Sequence, residues 1–359
     1  MRSALATRPF EPVSLEISTS PFRIAVFPAL RKLHRLTVTS GFHSFVIRAA
    51  SIDIGTNTFR LLIADVPPAG ELIPVRRERI ITRLGEGFHS GGRLSPAACR
   101  RSLQALDTFS SIIKEHAARA VHAVATSAVR EAINGPEFVR VVERRTGIGV
   151  KVLSGDEEGR LSCTGVLSSV AAPDRSCILD IGGGSTELIL SRHRLPPLVL
   201  SIRLGAVHLC EELLRSDPPS QQEQSAMHAR INKSLDAALA SDAGSPFPAA
   251  CPASDMLIGT AGTITTLAAI DQALNQYDPR SINNHVLSRD RISSIRCRLS
   301  AMKREERMRV TGIEHGREDL IIAGSAIVLQ IMDRFGFDLM TVSDGGLLEG
   351  IIIDACRRQ

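Results

Sequence analysis

The tripeptide Asp-Ile-Gly occurs twice, at 53–55 and 180–182, and both copies sit in the same setting. Ser51-Ile52-Asp53-Ile54-Gly55-Thr56-Asn57-Thr58 leads into the apolar run Phe59-Arg60-Leu61-Leu62-Ile63. Ile178-Leu179-Asp180-Ile181-Gly182-Gly183-Gly184-Ser185-Thr186-Glu187 leads into Leu188-Ile189-Leu190. Each reads as strand, glycine-containing turn and returning strand. One such hairpin is only a tight turn. Two, 127 residues apart, predict a duplicated fold whose halves present matching turns to each other.

Glycines let the backbone approach a ligand without a Cβ in the way. Successive turn N–H groups form an anion-binding concavity. Gly55, Thr56 and Asn57, and Gly182, Gly183, Gly184, Ser185 and Thr186, are therefore the candidate phosphate binders. Asp53, Asp180 and Glu187 put carboxylates beside those turns, where they repel phosphate unless a divalent cation intervenes. They are the candidate ligands of Mg²⁺ or Mn²⁺.

With 359 residues, 43% of them hydrophobic, the chain can build two domains around sizeable cores. Its net charge of +5 is carried by residues 1–50, which hold seven basic and two acidic side chains. The rest has 36 of the 43 basic and 36 of the 38 acidic residues, so no general polyanion-binding surface follows. Lacking Trp and holding one Tyr, it offers no base-stacking platform, and no nucleic-acid partner is expected. Seven scattered cysteines without a C-x-x-C pair argue against disulfides and zinc. No apolar run approaches membrane-spanning length, so neither a membrane partner nor a span is expected, and a reducing, cytoplasmic setting is.

Residues 1–48 are acid-poor and read as an extension outside the fold. From 49 onward strands alternate with helices, which predicts an α/β protein. A first lobe spans 49–172 and a second 173–359, with Pro173-Asp174 at the boundary. Residues 243–252 read as a Gly/Pro/Ala linker, and the last helix, from Leu347, is free to pack back on the first lobe. The segment 289–309, with eight basic and three acidic residues, is expected to be helical: either a solvated face or a track for a long polyanion.

Glu157 and Glu158 stand where a strand feeds a helix. Ser154 with Glu157 fits a capping box, which leaves Glu158 to face the cleft as a general base. Arg130 follows another strand end and is either a phosphate fork or a solvated cation. The turn at Gly259-Thr260-Ala261-Gly262-Thr263 cradles a further phosphate or a nucleotide, or simply starts a helix.

Taken in order, the segments starting at Asp53, Ala125, Ser154, Asp180, Gly259 and Ser343-Asp344-Gly345-Gly346 resemble the exopolyphosphatase / guanosine pentaphosphate phosphohydrolase family over residues 49–356. The resemblance implies two ribonuclease-H-like lobes of the actin–hexokinase–Hsp70 superfold around a central cleft. It implies Mg²⁺-dependent hydrolysis of a terminal phosphoanhydride in polyphosphate or guanosine pentaphosphate. Glu158 would be the general base, Arg130 a catalytic phosphate ligand, and Gly262 a further phosphate contact. A homodimer is left open, as are a kinase or ATPase of the same superfold and a non-catalytic sensor. One departure is Gly159, where the family more often has alanine; a looser helix start is expected there.

Overall fold

A computed structural model describes residues 46–68, 71–88, 91–241 and 255–358. Most of the extension and the linker lie outside the described residues. The first half runs β1 (Ile47–Ile54), β2 (Thr58–Val66), β3 (Ile73–Ile81), α1 (Pro96–Glu115), β4 (Ala120–Ala125), α2 (Ser127–Glu131), α3 (Gly135–Thr146), β5 (Val150–Val152) and α4 (Gly155–Leu167). The second runs β6 (Arg175–Ile181), β7 (Thr186–Arg192), β8 (Leu195–Ile202), α5 (Ala206–Leu213), α6 (Gln221–Ser241), β9 (Met256–Thr260), α7 (Ala261–Asp271), α8 (Pro279–Ile282) and β10 (Val286–Ser288). It continues through α9 (Arg289–Ser300), α10 (Arg304–Arg307), α11 (Ile321–Phe335), β11 (Leu339–Val342) and α12 (Leu347–Arg358).

The duplication appears in the strand order. The first sheet is β3-β2-β1-β4-β5 and the second is β10-β11-β9-β6-β7-β8. In each, a three-stranded antiparallel meander is followed by parallel strands added beside its first strand, β4 on β1 and β9 on β6. This is the ribonuclease-H-like order, with β10 as an extra antiparallel edge in the second lobe. The register sets Asp53 opposite Arg60 and Asp180 opposite Glu187.

Strands β6 and β7 each hold an unbroken apolar stretch, Cys177-Ile178-Leu179 and Leu188-Ile189-Leu190, because helices cover both faces. One face packs in the large core with α7 and α11, including Leu179, Leu188, Leu267 and Ile327. The other meets α4 through Cys163, Val166, Ile178 and Ile189. The final helix goes the opposite way: Leu348 and Ile352 pack on Ala49, Leu62 and Ala64 of the first sheet. So α4 covers the second sheet, α12 covers the first, and the two helices cross at the junction.

That crossing is glycine-dependent. A Cβ on Gly165 would overlap the Gly346 carbonyl and lie 2.9 Å from the Gly350 amide; one on Gly350 would overlap the Leu161 carbonyl. Gly159 has a related reason. Its helix starts regularly at Gly155, and a Cβ there would lie 2.5 Å from Val199 of β8. The glycine permits close packing and does not loosen the start.

The expected helix over 289–309 is broken at 301–303 into α9 and α10. Four of its eight cations are committed to ion pairs, Arg289, Arg291, Arg304 and Arg307 with Asp333, Asp271, Glu318 and Asp217, which weighs against a continuous polyanion track. No helix among the described residues is long and apolar enough to cross a membrane.

Replacing Gly165 with Ala is expected to destabilise the protein by about 3 kcal/mol, because backbone on the facing helix cannot yield to the added carbon. Urea unfolding of the variant against wild type measures this.

Candidate active site

Both hairpin turns meet at one cavity. Its lining includes Asp53, Gly55, Thr56 and Asn57 from the first, and Asp180, Gly182, Gly183, Gly184 and Ser185 from the second. Glu158, Thr126, Ser127, Gly262, Thr263 and Arg317 are also part of the wall. The turns touch: a Cβ on Gly183 would lie 3.0 Å from the Thr56 Cβ, so glycine eases the approach.

The carbonyls of these turns are taken by neighbouring backbone. Amides of Gly85, Thr82 and Arg83 donate to Thr56 and Asn57. Amides at the start of α5, from Ala206 and Val207, donate to the Gly182 and Gly183 carbonyls at 3.1 and 2.9 Å. The N–H groups of Thr56, Asn57, Gly183 and Gly184 make no backbone hydrogen bond among the described residues. With the carbonyls committed elsewhere, these donors suit an anion. The cavity is narrow, about 90 Å³ beside neighbours of about 460 and 500 Å³. It suits one phosphoryl group better than a nucleotide, whose sites usually exceed about 300 Å³.

Four carboxylates gather around it. Asp53 is buried; Arg60 donates to its Oδ2 from Nη2 at 2.7 Å and Nε at 2.9 Å, while its Oδ1 is buried without a partner. Ser162 donates to Asp180 Oδ2 at 2.6 Å, and Ser201 to Glu187 Oε1 at 2.8 Å. Burial raises the Asp180 carboxyl above its ordinary range, and the charge of Asp53 adds to this. Glu187 lies well above its ordinary range for the same first reason, then through repulsion from Glu158 and Asp180. Burial pushes Glu158 up to about 7 against the opposing pull of Arg130. Such a group sits near the value a general base needs at neutral pH.

The helix start separates the paired acids. Glu157 closes a capping box with Ser154 and pairs with Lys151, whose hydrogen bond together with the Ser154 amide lowers it to about 2. Glu158 and Ser162, one turn apart on α4, face the cavity and Asp180. Arg130 donates to Glu158 Oε2 at 2.9 Å and to the Leu153 carbonyl at 2.8 Å.

Three candidates, Thr186, Glu187 and Arg130, lie off the cavity. Thr186 is fully buried and donates its hydroxyl to the Leu204 carbonyl at 2.5 Å. Glu187, on the strand after the turn, is held by Ser201 and does not line the wall. Arg130 also faces elsewhere, into a neighbouring cavity. Two cations with no assigned role in the sequence do line it. Arg60 is a facing partner of Asp53 across the hairpin, a signal readable from the spacing. Arg317 comes from the loop before α11 and presses against Gly262, where a Cβ would overlap its guanidinium. Burial and the charge of Arg60 lower Arg317 to about 10. Ala261, beside it, has φ +67°, a strained value for a non-glycine residue.

No cluster of three His, Cys, Asp or Glu side chains among the described residues is close enough to cage a metal. Mg²⁺ seldom uses such a cage; it takes one or two carboxylates and substrate phosphates. Asp53, with its orphaned buried oxygen, and Asp180 on the facing hairpin fit that donor set.

Comparison with known proteins matches residues 62–359 to the Ppx/GppA phosphatase family. Exopolyphosphatase 2 of Mycobacterium tuberculosis H37Rv is 36% identical over 322 residues, covering 85% of this chain and 98% of that protein. The crystal structure of the Aquifex aeolicus family member has a TM-score of 0.72 at 32% identity, covering 87% of this chain and 98% of that one. An exopolyphosphatase from Cytophaga hutchinsonii has a TM-score of 0.78 at 28% identity over the same shares.

Replacing Glu157 with Ala is expected to cost about 1 kcal/mol of stability through the lost cap. Its rate of phosphate release should stay within about threefold of wild type, since Glu157 faces away from the cavity. Thermal unfolding and a phosphate-release assay on the same sample check both.

Proposed function

The chain belongs to the Ppx/GppA phosphatase family, and on that footing we propose that it hydrolyses the terminal phosphoanhydride of inorganic polyphosphate or guanosine pentaphosphate. One observation carries this: two glycine hairpins line a single narrow cavity with a buried carboxylate, Glu158, in its wall.

The terminal phosphoryl group sits between the turns. Amides of Thr56, Asn57, Gly183 and Gly184 and the guanidinium of Arg317 oppose the charge on its oxygens. Arg130 holds the Glu158 carboxylate in orientation by a charge-assisted bond. Glu158 accepts a proton from water as the water oxygen bonds to phosphorus. The bridging P–O bond breaks, and its electron pair leaves with the shortened anhydride. Asp53 and Asp180 would hold Mg²⁺ or Mn²⁺, which neutralises charge on the phosphate oxygens and the departing group. Catalysis of this kind is positioning and electrostatics more than covalent chemistry.

Glu158→Gln is expected to lower kcat by at least ~10²-fold while KM and folding change little, because Gln still accepts the Arg130 hydrogen bond. Near-normal turnover would remove Glu158 from the base role. A chelator should abolish phosphate release, and added Mg²⁺ should restore it. The substrate panel is tripolyphosphate, long-chain polyphosphate, guanosine pentaphosphate and ATP. Phosphate transfer to a second substrate, or binding without turnover in Mg²⁺, would favour a kinase or a sensor instead.

A further inference from the structure

The narrow cavity has two larger neighbours that share no residue with each other. One, about 460 Å³, borders it at Arg60, Ala261, Gly262, Arg317 and Leu347, and adds Arg77, Arg79 and Tyr277. The other, about 500 Å³, borders it at Ser185, and its wall includes Arg130 and Arg203, the carboxylates Glu131 and Asp156, and Ser201. The mechanism above makes no use of this second neighbour, although the arginine that orients Glu158 lies in its wall.

We infer that the cavity behind Ser185 is an orthophosphate site, through which the released product leaves while the shortened chain still occupies the other side. The inference rests on the phosphate release proposed above. In an in-line displacement the water enters opposite the departing chain, so the product forms on the Glu158 side. The remaining chain, seated towards the cavity lined by Arg60, Arg77, Arg79 and Arg317, blocks that way out. On the Glu158 side an anion meets the Arg130 guanidinium and then Arg203, which outweigh Asp156 there only once Arg203 leaves Glu131, while the Ser185 and Ser201 hydroxyls in the same wall are engaged by Glu187.

The outer end carries a polar closure. Arg203, with its side chain 78% exposed, follows β8 and pairs with Glu131 of α2 in the other lobe. Glu131 in turn accepts from the Ser127 hydroxyl at 3.0 Å, and Ser127 lines the narrow cavity. Glu131 is largely buried, its side chain 10% exposed, and stays in place, whereas the solvated Arg203 is the half that can swing away. A phosphate dianion competes with Glu131 for Arg203 as it passes. The ion pair thus joins the reaction chamber to the exterior through two side chains.

The test uses Arg203→Glu, a surface change that sets a carboxylate opposite Glu131, and the exchanged double variant with Glu131→Arg. In Arg203→Glu, steady-state kcat should fall about fivefold or more while single-turnover hydrolysis on the enzyme stays within about twofold, the mark of slowed product release. The double variant should recover at least half of the lost kcat. Orthophosphate should inhibit wild type in a mixed pattern against tripolyphosphate, since chain and product bind together, and should become competitive in Arg203→Glu. Competitive inhibition in both proteins, or parallel loss of single-turnover rate and kcat, overturns the inference and leaves the hydrolase reading standing. If wild type releases no phosphate from any polyphosphate, the hydrolase reading fails. Phosphorus NMR of added orthophosphate then decides: broadening by wild type that is lost in Arg203→Glu supports the site, and equal broadening rejects it.

Discussion

Carboxylates removed from water at the junction of two lobes are the constraint on which the rest depends. Isolated buried charges are costly, and side by side they also repel. Each of the four here is tied to a donor from a different element: Asp53 to Arg60 of β2, Asp180 to Ser162 of α4, Glu187 to Ser201 of β8, and Glu158 to Arg130 of α2. Those donors satisfy only part of the set. Asp53 keeps an unpartnered oxygen, and burial first, then neighbouring carboxylates, raise Glu158, Asp180 and Glu187. A cation with a phosphate is the natural complement to such an arrangement.

Holding charges in that relation requires the lobes to share structure. The exchanged helices do this: α4 brings Glu158 and Ser162 onto the second sheet, and α12 returns to the first. Because the crossing is backbone against backbone at Gly165 and Gly350, it leaves little slack for side-chain repacking. Further ties across the cleft, Arg83 with Asp319 and the Gly87 amide with Glu211, are peripheral and polar.

Much of this was legible in the chain because local chemistry repeats. The duplicated hairpin and the Ser154–Glu157 cap each depend on residues close in sequence. Glu158 followed from the cap, since adjacent helix residues point apart. What stayed hidden depends on distant partners. Nothing near Arg317 announces that it will press against Gly262. The cation cluster at 289–309 looks like a binding face until Asp217, Asp271, Glu318 and Asp333 are placed beside it. Thr186 and Glu187 share the hairpin's composition, but strand alternation and pairing with β8 turn them to Leu204 and Ser201. Glycine content identifies a turn, whereas register decides which neighbours face the ligand.

The central claim is spatial: one phosphoryl group is gripped by both hairpins at once. A crystal structure of Glu158→Gln with tripolyphosphate and Mg²⁺ tests it most directly. The account predicts the terminal phosphorus between the amides of 55–57 and 183–185, metal density shared by Asp53 and Asp180, and the residue 158 side chain on the side away from the bridging oxygen. Tripolyphosphate bound with its end outside the two turns, or touching only one of them, would contradict it.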